Sequence, residues 1–238
     1  CCRPAETPLR RLTHATWPPN LLHGNRMTST PTSLCLGQPR FPDAIDPALP
    51  VADRWRALIA QHGAERAAAL VDGDFAVALA LDDGTLFLAV DRFAVRSLCY
   101  RIDGGQLAYA ARADTLSGGR PELDPQALFD YLYFHVIPSP RTIFTDVRRV
   151  PPAHCVLFKD GAIRVVRYWQ ARFDVDPAPS FESRRDEFRR MLQQAVGRQL
   201  DGTTAACFLS GGTDSSTVAG MIGLASGQPA VAYSVGFE

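Results

Sequence analysis

The chain has 238 residues, 46% of them hydrophobic and 21% charged, a soluble globular composition that suits one large domain or two small ones. Lys plus Arg and Asp plus Glu are equal at 25 each, so no net field directs the chain to nucleic acid or an anionic membrane, and neither partner is expected. No apolar stretch reaches the roughly 18 to 20 residues that cross a bilayer, and the six cysteines show no paired CxxC spacing, so a cytoplasmic protein with reduced thiols is expected.

In chain order, residues 1–33 are rich in Pro and lack apolar periodicity, and are expected to be irregular or disordered. The run "ADRWRALIAQHGAERAAALV" places Trp55, Leu58 and Ile59 on one helical face, with Gly63 as a stop or kink. The runs "DFAVALAL", "TLFLAVD", "SLCYRI" and "QLAYAA", joined by Asp-Gly and Gly-Gly turns, predict an antiparallel meander buried on most of one face. "DPQALFDYLYF" predicts a helix starting beside Pro125, and a further hairpin turns at Asp160-Gly161. A polar, Pro-containing stretch over residues 174–180 reads as a linker between a domain over 34–173 and another over 181–238.

After that linker the pattern changes. "FESRRDEFRRMLQQAVGRQL" carries apolar residues at 188, 191, 192, 195 and 196, the spacing of one helical face, and Ser180 is placed to cap it. Strand "AACFLS", helix "SSTVAGMIGLA" and strand "AVAYSVGF" then form a βαβ unit with parallel strands.

Between that strand and helix stands "LSGGTDSS". A helix N-terminus at the carboxyl edge of a parallel sheet offers unpaired N–H groups and a positive dipole end, which favour an anion such as phosphate. Gly211 and Gly212 permit close backbone approach, and Ser210, Thr213, Ser215 and Ser216 supply hydroxyls. Asp214 would repel a phosphate unless a cation lay between them, so the residue mix points to a nucleotide with Mg²⁺. The loop lacks both the terminal Gly-Lys-Ser/Thr of a P-loop and GxGxxG spacing. A tight turn with a capping Ser or Asp would account for the same residues in any strand-to-helix unit.

The loop resembles the "SGGxDSS" pyrophosphate loop of ATP pyrophosphatases. The segments "LVDGDFAVAL", "FLAVDRFAVRSLCYRIDGGQLAYAARADTL", "IPSPRTIFTDVRRVPPAHCVLF" and "YSVGFE" resemble the glutamine-hydrolysing asparagine synthetase family from about Leu34 to Glu238. That resemblance implies an antiparallel glutaminase-like (Ntn-type) sandwich, incomplete, followed by the first βαβ unit of a parallel-sheet ATP pyrophosphatase domain, the whole shortened at both ends. It implies Mg-ATP as nucleotide, with Leu209, Ser210, Gly211, Gly212, Asp214, Ser215 and Ser216 on the triphosphate and Val235 at the adenosine. Asp214 would hold the metal. The implied reaction adenylates a carboxylate, of aspartate or another acid, and transfers ammonia from glutamine or solution.

The sequence departs from the family where glutamine is held. The segments "HRGPD", "NGEIYN" and "GSD" have no counterpart, and Cys1 or Cys2 would be the nominal nucleophile without the Gly-Ile that follows it in the family, so no catalytic residue is assigned. Met27, the first methionine, is a candidate start. Two alternatives therefore stand beside the amidotransferase: an amide-forming cyclase of the β-lactam or lasso peptide type with a non-catalytic glutaminase domain, and an inactive fragment. A glutaminase domain of this family often sits at a dimer interface, so a homodimer is one expectation. Asp91-Arg92 reads as a turn ion pair or domain-interface contact before an active-site pair, His135 and His154 as buried or interface histidines, and Arg148-Arg149 as a solvated face.

Overall fold

In the computed structural model, which describes residues 33–119, 121–175, 179–200, 202 and 204–236, the apolar runs become two antiparallel sheets and one parallel pair. The first 32 residues, with Cys1, Cys2 and Met27, lie outside the described residues, as does part of the expected linker. The chain divides into two units, the first ending at Ala171 and the second beginning at Arg172.

The first unit runs β1 (Ser33–Gly37), α1 (Val51–His62), α2 (Ala64–Leu70), β2 (Phe75–Ala80), β3 (Leu86–Val90), β4 (Cys99–Asp103), β5 (Gln106–Ala110), α3 (Pro125–Phe134), β6 (Arg148–Arg149), β7 (His154–Lys159) and β8 (Ala162–Arg167). One sheet has the order β1-β2-β3-β7-β8 and the other β5-β4-β6. Because successive strand residues face opposite ways, β2 serves two cores at once. Phe75, Val77 and Leu79 join Trp55, Leu58, Ala67 and Ala68 from α1 and α2, while Ala76 and Ala78 join Leu98, Tyr100, Leu107 and Tyr109 of the second sheet side. The unit is thus a helical layer and two stacked sheets.

The expected meander is corrected on two points. β2–β3 and β4–β5 are hairpins, but they lie in different sheets: β3 takes β7 as its second neighbour, and β4 takes β6. The Asp91–Leu98 connection turns away at Ala94, whose φ is 50°. Burial is also two-sided, since β2 and the body of β3 are covered by helices on one face and a sheet on the other, which is why their sequences are continuous apolar runs rather than alternating ones.

Local signals act as their chemistry dictates. Gly63, at φ 78°, donates its N–H to Ile59 O at 2.8 Å to close α1 and accepts from Ala67 N at 2.9 Å to open α2. Asp160 and Gly161, at φ 50° and 79°, make the two-residue β7–β8 turn with both central residues in the left-handed region. Asp124 caps α3 by accepting from Gln126 N and Ala127 N, with Pro125 in the first turn.

The second unit contains α4 (Phe181–Gly197), β9 (Ala206–Phe208), α5 (Thr213–Ser226) and β10 (Val231–Tyr233). Ser180 Oγ accepts from Ser183 N at 3.2 Å and caps α4. Of the predicted apolar face, Leu192 and Val196 are half-buried while Phe188 and Met191 are exposed. Gln193 Nε2 donates to Leu224 O at 3.0 Å, fixing α4 against α5. β9 and β10 pair in parallel, in register Ala206–Val231 to Phe208–Tyr233, with α5 as the crossover. No helix of the described residues is long and apolar enough to cross a membrane.

Candidate functional site

The carboxyl ends of β9 and β10 are tied together. Leu209 N donates to Tyr233 O at 2.8 Å, and Ser234 Oγ donates to Leu209 O at 2.7 Å. Leu209 and Val235, predicted from opposite ends of the βαβ unit, therefore emerge at one edge, and the Val235 side chain is exposed there. Ser234 is not singled out by the sequence, which places it inside the strand run "AVAYSVGF", whereas the strand ends at Tyr233 and frees the hydroxyl to reach Leu209.

Between them the loop makes its turn at Gly211, φ 81°, where any side chain would be strained. A Cβ placed on Gly211 would meet nothing within 4 Å, so the backbone faces open space. Gly212 is the N-cap of α5 in extended conformation, and no side chain caps the helix. Ser216 N makes the first helical bond, to Gly212 O at 3.1 Å, which leaves the N–H groups of Thr213, Asp214 and Ser215 without intrahelical acceptors. These are the donors an anion needs.

The hydroxyls divide into two sets. Ser210 Oγ and Ser215 Oγ lie 3.1 Å apart, Ser210 N donates to Ser215 Oγ at 3.3 Å, Ser215 Oγ approaches Gly212 O at 3.2 Å, and Gly212 N approaches Ser210 Oγ at 3.4 Å. Ser210 and Ser215 thus brace the turn. Thr213 and Ser216 stand exposed in the first turn. Asp214 is exposed there too and takes part in no ion pair among the described residues. A carboxylate in a first helical turn is favoured by the dipole, so Asp214 is stable there without a partner. No group of three or more His, Cys, Asp or Glu among the described residues could hold a metal, so a cation at Asp214 would need further oxygens from its ligand.

The other candidates sit in the first unit. Asp91 does not pair with Arg92. Its buried carboxylate accepts from Phe75 N at 3.2 Å, Phe93 N at 2.9 Å, Val95 N at 3.3 Å and Arg96 N at 3.4 Å, so it organises the sheet-to-sheet connection. Arg92 instead pairs with Asp72 and lies over the Trp169 ring at 5.7 Å. Arg148 is solvated as expected, but Arg149 is half-buried, its Nε without a protein acceptor. His135 is exposed, ending α3 at φ 58°, and half-buried His154 contacts Pro152 O through Nδ1 at 2.7 Å.

Among the described residues of the first unit, the thiols of Cys35, Cys99 and Cys155 are not poised as nucleophiles. Burial raises the thiols of Cys35 and Cys99 and pushes Cys155 up to about 11, so all three stay protonated near neutrality.

Residues 56–169 match the glutamine amidotransferase domain family and residues 187–238 match the asparagine synthase family. The two matches follow one another in the order that the resemblance to the glutamine-hydrolysing asparagine synthetase family implies, and the chain is similar to that family over both stretches. Asparagine synthetase [glutamine-hydrolyzing] 3 of Bacillus subtilis is 28% identical over 162 residues, covering 64% of this chain and 26% of that protein. Asparagine synthetase [glutamine-hydrolyzing] 1 of the same organism is 29% identical over 185 residues, covering 75% and 29%. The amidase chyE of Penicillium rubens is 32% identical over 160 residues, covering 63% and 23%. The chain therefore spans less than a third of the length of each of these relatives.

Proposed function

We propose that the second unit is the pyrophosphate-gripping part of an ATP pyrophosphatase and serves a ligase that adenylates a carboxylate before an amine replaces AMP. The observation that carries this reading is the uncapped N-terminus of α5 behind the Gly211-Gly212 turn, at the same strand edge as Val235. A loop that offers fixed N–H donors to the departing pyrophosphate lowers the barrier by stabilising charge where it grows. Leu209, Ser210, Gly211, Gly212, Asp214, Ser215 and Ser216 would line the triphosphate, and Val235 the adenosine. Mg²⁺, held by Asp214 together with phosphate oxygens, would neutralise the leaving group. Titration of the chain with Mg-ATP in a calorimeter should give saturable binding that Mg-pyrophosphate displaces; a titration without heat, or binding indifferent to pyrophosphate, rejects the reading.

The likeness to asparagine synthetases favours aspartate as the acid and glutamine as the amine source. A second reading, in which the first unit is a scaffold and the amine comes from elsewhere, is favoured by the lack of counterparts to the glutamine-holding segments. It expects the chain to release no ammonia from glutamine above the protein-free rate. Release that is lost when the N-terminal amine is blocked would overturn it and restore the amidotransferase.

A further inference from the structure

The parallel pair of β9 and β10 ends on a rung that the backbone does not make. In a parallel ladder a residue donates its N–H to one residue of the partner strand and accepts at its C=O from the N–H two residues further along that strand. Val231 N donates to Ala205 O at 3.3 Å and Leu209 N donates to Tyr233 O at 2.8 Å, so this register assigns Leu209 O to Val235 N. Ser234 Oγ takes that carbonyl instead, at 2.7 Å, and among the described residues Val235 N has no backbone acceptor. A hydroxyl thus satisfies the last strand carbonyl, and the chain leaves the ladder early with Val235 75% exposed.

We propose that Ser234 is a positioning residue for the nucleotide: its hydroxyl, in the place of the Val235 N–H, ties Leu209 to β10 while keeping Val235 out of the sheet. A ladder that simply continued would satisfy the same carbonyl, so the fold does not need the hydroxyl there. What the hydroxyl adds is the freedom of Val235 to face a ligand. The inference rests on the reading of the α5 turn as a pyrophosphate grip with Val235 at the adenosine. The phosphate half of that site has its own brace, the contact of Ser210 Oγ with Ser215 Oγ at 3.1 Å, whereas the Val235 half is joined to it through Leu209. Without the hydroxyl, Leu209 O is left to accept from Val235 N, which draws Val235 into line with the strand, or to lose its partner, which loosens the edge. Either change displaces Val235 from the loop and leaves the loop itself intact.

Calorimetric titration with Mg-ATP and with Mg-pyrophosphate, of the wild-type chain, Ser234→Ala and Ser234→Thr, separates the two halves. Ser234→Ala should weaken Mg-ATP binding about fivefold, the scale of one neutral hydrogen bond, and leave Mg-pyrophosphate binding within about twofold. Ser234→Thr keeps the hydroxyl on a residue suited to extended backbone and should hold Mg-ATP affinity within about twofold of the wild type. Ser234 is exposed, so far-UV circular dichroism of both variants should match the wild type. An alanine variant with wild-type Mg-ATP affinity, one that loses both ligands equally, or a threonine variant as weak as alanine overturns the role of the hydroxyl and leaves the pyrophosphate reading standing. A wild type that binds neither ligand rejects that reading and this inference together.

Discussion

Gly211→Val is expected to weaken Mg-ATP binding by about a hundredfold, near 2.7 kcal/mol. Two effects contribute. The backbone at Gly211 has φ 81°, a region where a β-branched residue is strained by roughly 1–2 kcal/mol or more, so the loop would reroute. Rerouting would move the Ser210–Ser215 brace and turn at least one N–H away from the anion, and a hydrogen bond to a charged group is worth about 1.5–3 kcal/mol. Gly220, inside α5 with no heavy atom near the position of a Cβ, is the matched control. Gly220→Ala should keep the affinity and steady the helix by roughly 0.5–1 kcal/mol. Calorimetric titration of both variants reads the difference; wild-type affinity in Gly211→Val would contradict the role given to the turn.

Trp55→Ala is expected to destabilise the first unit by about 3–5 kcal/mol. Trp55 is fully buried and its ring meets Phe41 at 5.4 Å, Phe75 at 5.0 Å and Phe87 at 6.0 Å, so its loss removes the contact between the helical layer and the centre of the five-stranded sheet. Trp55 Nε1 has no protein acceptor, hence Trp55→Phe forfeits volume but no hydrogen bond and should cost less, about 1–2 kcal/mol. Urea unfolding followed by far-UV circular dichroism measures both. A loss under about 1 kcal/mol for the alanine variant would show that this core does not depend on the indole.

What the sequence made legible was local. Gly63, Asp160-Gly161, Pro125 and Ser180 each announce a backbone conformation or a cap that does not depend on distant residues, and each stands where its chemistry requires. The "LSGGTDSS" turn was legible for the same reason. Choices made across the fold were not. Nothing near Val90 tells β3 to take β7 rather than β4, because that choice follows from burying both faces of the strand between a helical layer and a second sheet. Asp91 and Arg92 are adjacent and opposite in charge, yet four backbone N–H groups hold the carboxylate while Asp72 and Trp169 hold the guanidinium. The mutual bond of Ser210 and Ser215 was equally hidden, since sequence gives the hydroxyls but not which of them face inward.

The proposed grip of the turn before α5 on a metal-bound pyrophosphate, with Asp214 joining metal to protein, is tested most directly by calorimetric titration of ATP into the wild-type chain and Asp214→Ala, each with Mg²⁺ and with the metal chelated. If Asp214 holds the metal, Mg²⁺ strengthens binding to the wild type and Asp214→Ala removes this gain, because one exposed carboxylate would supply the protein's share of the coordination. Equal affinity of both proteins for Mg-ATP would contradict it.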